Sequence, residues 1–215
     1  MTNGNQDLVH SYLYLRRAIG LIGIALPPVL ILGKLWWGTG GLQNSISGYY
    51  YSNMRDWLVG GLWAVGVFLL FYGGHRMFDD WIGNLAGLAA IGVALVPTSP
   101  SGGPNVSQTD DSTLAVWHVG FSAVFFTCLA VYCLFIFTRN DNETPNAVNK
   151  DKRNIVYIVC GIAIVVCMAA ILIIGAWFDE ETKSWHPVLW LESAAVWAFG
   201  IAWLTKGKTI WFING

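Results

Sequence analysis

The chain has 215 residues, of which 55% are hydrophobic and only 12% charged, and its mean hydropathy is +0.52. A soluble chain carries about 25% charged residues, so this composition excludes an ordinary soluble domain and points to surface buried in lipid. A formal net charge of −1 gives no electrostatic basis for nucleic acid as a partner.

Six apolar runs, at about 14–37, 57–74, 80–97, 114–138, 154–178 and 186–205, are long enough to cross roughly 30 Å of hydrocarbon at about 1.5 Å per residue. None alternates with the period of two that a membrane β-strand needs, and helices satisfy their backbone groups internally, as lipid demands. The expected fold is therefore all-α: a polytopic bundle of six transmembrane helices forming one domain over 1–215. Many of the twelve Trp stand at span ends, among them Trp36, Trp37, Trp57, Trp81, Trp117, Trp177, Trp185, Trp190 and Trp211, where an indole keeps its ring in apolar surroundings and its N–H wet. The first run has no small-residue cleavage site after it and reads as an uncleaved signal anchor.

An even number of spans puts both termini on one side. Arg16, Arg17, Arg76, Arg139, Lys150, Lys152, Arg153, Lys206 and Lys208 fall there, against Lys34, Arg55 and Lys183 on the other. The positive-inside rule then makes the termini cytoplasmic. The expected location is a membrane, with compact loops that suit a bacterial inner membrane.

Along the chain, Pro27-Pro28 in span 1 removes two backbone donors and predicts a kink. The outer loop 38–56 carries Ser45-Ile-Ser47-Gly-Tyr49-Tyr50-Tyr51 and then Arg55-Asp56, with Asp56 at the expected N-cap of span 2. Span 3 has a small-residue stripe, Gly83, Ala86, Gly87 and Ala90, that lets helices approach closely, and Asn84 beside it reads as a helix–helix hydrogen bond. The loop 98–113 is turn-rich and contains the sequon Asn105-Val106-Ser107, which acts only in a eukaryotic secretory route. A charged connector covers 139–153. Cys128, Cys133, Cys160 and Cys167 all lie in apolar runs without a CxxC pair and read as small hydrophobes.

Two nucleotide-like patterns fail on context. Ala202 to Thr209, ending Gly207-Lys208-Thr209, loosely fits a phosphate loop, but it follows a membrane helix rather than a strand, and no helix follows it. Lys206 and Lys208 meet anionic headgroups instead. Gly38-Thr-Gly-Gly41 lacks a Rossmann setting. No nucleotide partner is expected.

Glu192 in span 6 is the most unusual residue. A carboxylate at membrane depth costs about 2.5–3.5 kcal/mol on insertion scales unless it is paired, protonated or facing a polar cavity. The topology gathers Ser47, Tyr49, Arg55, Asp56, His118, His186 and Glu192 on the outer side, while His10 and His75 fall on the other. Three readings compete for this constellation. It is a cleft that binds a lipid headgroup or other amphiphile, with Arg55 on a phosphate and Glu192 at the polar floor. Alternatively it is a metal-dependent hydrolase, with His118, His186 and Asp56 (or Glu192) holding zinc around an open water position. Or these residues only brace the bundle. A fourth possibility is an oligomeric channel or a proton-coupled carrier in which Glu192 titrates. Lipid binding by a non-enzymatic protein is the leading expectation, with membrane lipids, and in the channel case further copies of the chain, as partners.

The segment Ser45 to Tyr51 with Arg55-Asp56, together with Asn84-Leu-Ala-Gly87 and Ala94-Leu-Val-Pro97-Thr98, resembles a group of uncharacterised bacterial membrane proteins. It is loosely similar to the Frag1/DRAM/Sfk1 type of six-span protein, which has an Ile-Ser pair in its first outer loop. A more distant similarity is to membrane hydrolases that include alkaline ceramidases. That resemblance implies zinc chemistry through Ser47, Asp56, His118 and His186, but the third outer histidine and the closing His-xxx-His pair are missing here.

Overall fold

The computed structural model describes residues 3–74, 76–98, 111–139, 147–177 and 185–209. His75, the 98–113 loop from 99 to 110 with its sequon, residues 140–146 of the connector, Lys183 and Trp211 lie outside the described residues, as do the side chains of His10 and Trp177.

Six helices account for nearly all of it: α1 (Asn3–Trp37), α2 (Arg55–Leu70), α3 (Met77–Leu95), α4 (Asp111–Val131), α5 (Ala147–Trp177) and α6 (Pro187–Lys206). A π-helical turn, Tyr132–Ile136, continues α4, and a short 3₁₀ helix, Ser47–Tyr51, lies between α1 and α2. There is no strand among the described residues. Five helices, α1 and α3 to α6, are long and apolar enough to cross a membrane. The run expected at 57–74 is different: α2 has 16 residues and spans about 24 Å, short of the roughly 30 Å of hydrocarbon, because the chain leaves the helix at Phe71.

Each helix packs on its neighbours in sequence, and α6 returns against α1 to close a ring. Neighbours run antiparallel. Gly33 meets Met54 while Gly61 meets Leu26, and Gly20 meets Leu204 while Gly23 meets Gly200. Glycine makes these approaches feasible: a Cβ on Gly200 would stand 2.9 Å from the Gly20 carbonyl oxygen, and one on Gly87 2.7 Å from that of Gly66. The small-residue stripe of α3 thus faces α2, as close packing requires. Asn84 is exposed instead and joins no helix–helix hydrogen bond among the described residues. It lies one position off the buried stripe of Gly83 and Gly87, which turns it outward.

The helix α1 runs unbroken through Pro27 and Pro28. Pro28 cannot donate to the Ile24 carbonyl, four residues back, and the Trp197 indole N–H of α6 donates to that oxygen instead, at 3.2 Å. A tertiary contact thus replaces the missing helical bond.

The ring has two unlike ends. The end reached by α1 at Trp37 and by α6 at Pro187 carries the 38–56 segment. The opposite end carries Arg16, Arg17, Arg76, Arg139, Lys150, Arg153, Lys206 and Lys208. Near it, Trp203 is fully buried against Tyr72, Tyr132, Phe137 and Phe199. Most of the Trp at helix ends are exposed, as interfacial residues are, Trp36 and Trp185 by about 80%. All four cysteines are buried and free.

Candidate functional site

The 38–56 segment folds back into the bundle as a plug. Gly40, at φ +82, turns the chain. The Ser45 hydroxyl accepts from the Gly48 N–H at 2.9 Å, and the 3₁₀ helix starts there. Ile46, Tyr49 and Met54 enter an apolar cluster with Leu26, Leu30, Leu58 and Leu189. Ser52 closes the segment: its hydroxyl donates to the Tyr49 carbonyl and accepts from the Met54 N–H. That local winding makes Met54 the N-cap of α2, so Asp56 sits within the first turn and not at the cap.

Glu192 now has an account. It lies about 7–8 Å along α6, and its Oε2 accepts the Ile46 backbone N–H at 2.6 Å; the Ser47 N–H also approaches the carboxylate, without meeting hydrogen-bond geometry. These are orphan donors at the start of a helical turn. The acid therefore ties the last helix to the first loop. Two further ties hold the same segment. The His186 Nδ1–H donates to Asn44 Oδ1 at 2.8 Å, and the Tyr51 hydroxyl donates to the Thr98 carbonyl at 2.6 Å. His186 is in the left-handed region, φ 50 and ψ 47, directly before Pro187, where an extended backbone is normal.

The remaining predicted residues separate from this tie. The fully buried Tyr49 hydroxyl approaches the Gln43 backbone without meeting hydrogen-bond geometry, and it has no partner among the described residues. Burial pushes its pKa above the usual tyrosine value. His118 is only 5% exposed, and its Nδ1–H donates to the Val96 carbonyl at 2.6 Å, capping the end of α3. Arg55 is exposed, stacks on the Tyr50 ring at 4.3 Å and donates to that tyrosine's hydroxyl at 2.7 Å. Asp56 is exposed and opens onto a different feature, a groove of about 430 Å³ between α1 and α2. No group of three or more His, Cys, Asp or Glu residues converges on a metal position among the described residues. His118, His186 and Asp56 are thus not assembled as a zinc-ligand set.

Sequence reasoning overlooked two parts. Beside Glu192 lies a cavity of about 40 Å³, lined also by Ser47 and Ser122. At the opposite end, buried Asp79 is ion-paired to Arg139 at 2.7 Å, and the Tyr132 hydroxyl donates to the Asp79 carbonyl at 3.0 Å. The available signal was the acidic pair Asp79-Asp80 at the start of a helix, where the dipole favours negative charge.

No curated protein matches the chain, and no solved structure does. A family model does, over residues 18–205, which takes in most of α1, all of α2 to α5 and α6 but for its last residue. Its description gives no link to the Frag1/DRAM/Sfk1 type or to the ceramidases, and the resemblance to uncharacterised proteins is the part that it supports. The chain belongs to the DUF998 family, described as proteins of unknown function.

Proposed function

We propose that this protein is a six-span membrane protein that binds a lipid or similar amphiphile, with the α1–α2 groove as the seat of the acyl chain. The observation that carries this reading is the make-up of that groove. Ile22, Ala25, Leu26 and Val29 form one wall, Gly60 and Gly61 leave the other without side chains, and Asp56 and Trp57 stand at the mouth. Its volume of about 430 Å³ is in the range of small-molecule sites. Its length from Asp56 to Ala64, about 12 Å, is close to the depth of one leaflet. An acid at the mouth complements an amine-bearing headgroup, and an exposed Trp suits the headgroup level.

In this reading α2 and the residues after it complete a sixth crossing, for which the alternating helix directions are the support. The basic end of the bundle faces the cytoplasm of a bacterial cell. The binding test is native mass spectrometry of the protein released from lipid nanodiscs. Gly60→Leu is expected to lose retained lipid, and Asp56→Asn to lose its preference for ethanolamine over glycerol headgroups. An unchanged lipid complement in both variants would refute the reading.

The cavity beside Glu192 favours a second reading, carriage coupled to a proton on that carboxylate. Loss of pH-dependent flux in Glu192→Gln vesicles would support it, and unchanged flux would end it. The hydrolase reading has no assembled ligand set behind it among the described residues.

A further inference from the structure

At the end opposite the plug, six cations converge on one concavity. Arg16 comes from α1, Arg139 from the residues after the π-helical turn, Lys150 and Arg153 from α5, and Lys206 and Lys208 from the end of α6. No acidic side chain lines it among the described residues. Asp79 stands behind Arg139 and is paired with it.

The positive-inside rule accounts for cations on this side of a membrane, but it asks only that they reach water. These do something more specific. Arg16 is 8% exposed, with its Nε–H donating to the Tyr72 hydroxyl at 3.1 Å and its guanidinium over that ring at 5.6 Å. Its charge is thus held at the floor and not released to solvent. Lys208 is kept at φ +52, a conformation rare outside glycine, which turns the chain at the pocket's edge just after α6. Lys150 and Arg153 lie in the first two turns of α5, where the macrodipole disfavours cations; the first turn has no acid, and the acid of the second, Asp151, is exposed and does not line the pocket. A bound anion removes that conflict, because the helix dipole and the side chains then attract the same charge. The Asn154 side chain, also in the wall, adds a neutral hydrogen-bonding group.

The cavity measures about 50 Å³. With one water needing roughly 10–15 Å³, it takes the space of a few waters, which suits one compact oxyanion and not an extended polymer. Phe137 and Tyr157 in the same wall join the charged mouth to the apolar bundle. We propose that this pocket binds a phosphate group, either as the phosphomonoester headgroup of a membrane lipid or as free inorganic phosphate. This site is separate from the α1–α2 groove and does not depend on it.

The test uses the full-length protein in neutral detergent. Its thermal unfolding is followed with dioctanoyl phosphatidic acid, with dioctanoyl phosphatidylcholine, and with inorganic phosphate against chloride at equal ionic strength. The pocket variant is Lys150→Gln with Lys208→Gln, two peripheral residues from opposite walls. The charge-matched control is Arg76→Gln with Lys152→Gln, both exposed and outside the pocket. If the pocket double variant unfolds early without ligand, Lys208→Gln alone replaces it.

Stabilisation by phosphatidic acid and by phosphate, weakened about tenfold or more in the pocket variant and kept in the control, supports the site and shows that the phosphate alone suffices. The same pattern with phosphatidic acid only identifies a lipid headgroup, and with phosphate only a free anion. If neither stabilises the protein beyond phosphatidylcholine and chloride, or if the control loses as much as the pocket variant, the proposal is overturned.

Discussion

Replacing Glu192 by Gln tests the account of the most unusual residue in the chain. The carboxylate accepts from the Ile46 N–H and faces that of Ser47, and a carboxylate has acceptor sites for both. A Gln keeps one carbonyl oxygen and turns an NH₂ toward the second donor. The loss is the charge that strengthens the Ile46 bond and favours the Ser47 N–H, about 1.5–3 kcal/mol. Glu192→Ala removes the acceptor outright and should cost at least as much. The readout is amide hydrogen exchange by mass spectrometry over residues 42–54. A loss of 1.5–3 kcal/mol raises local exchange about 10- to 150-fold. The increase should be confined to the start of the 3₁₀ helix, because Asn44 and Tyr51 remain tied to His186 and Thr98. Glu192→Asp should behave like Gln, since its shorter side chain keeps the charge but not the reach. Unchanged exchange at Ile46 and Ser47 in the Gln and Ala variants would refute the capping argument.

Four other outcomes follow from the geometry. Trp197→Phe orphans the Ile24 carbonyl and should cost about 1–3 kcal/mol; in a Pro28→Ala background, where residue 28 regains its N–H, that cost should shrink, and equal costs in both backgrounds would refute the substitute-bond idea. Gly87→Ala places a Cβ 2.7 Å from the Gly66 carbonyl oxygen and should destabilise by about 1–3 kcal/mol in denaturant unfolding, whereas Gly120→Ala, with nothing within 4 Å, should gain about 0.5–1 kcal/mol of helix propensity. Tyr49→Phe should leave stability unchanged or raised at neutral pH. Because burial raises the folded-state pKa of Tyr49, the unfolded chain loses the proton first, so wild-type stability should fall relative to the Phe variant as pH climbs past about 10; parallel pH curves would count against it. Asp79→Asn should weaken the pair with Arg139 and lower the unfolding temperature, and Arg139→Gln in the same chain should add little further loss if the two act as one unit.

The helices were legible in the sequence because the length of an apolar run is a direct physical requirement of the bilayer. Residues 80–97 and 186–205 were expected, and Met77–Leu95 and Pro187–Lys206 were found. α2 is shorter than its run, since the chain turns out of the helix at Phe71, and α4 fills its run only with the π-helical turn that continues it. The candidate site was less legible, and for a common reason: its partners are backbone atoms. Glu192 meets the Ile46 N–H and His118 meets the Val96 carbonyl, and neither leaves a paired residue type to find. Side-chain logic alone therefore does not reach these partners. The Asp56 cap failed because Ser52 rewinds the chain before α2. Pro27-Pro28 gave no break in the helix because a distant Trp supplies what Pro28 removes.

The seam between α1 and α6 also orders events in time. Helices emerge from the ribosome N-terminal first, so the plug segment is made long before the residue that holds it. Until α6 arrives, α1 has a row of bare glycines, Gly20 and Gly23, with no opposing surface, and the Ile46 N–H lacks its acceptor. The arrival of α6 therefore closes the ring and latches the first loop at once. A chain that stops short of α6 would leave this seam unclosed, with the Gly20 and Gly23 face of α1 uncovered.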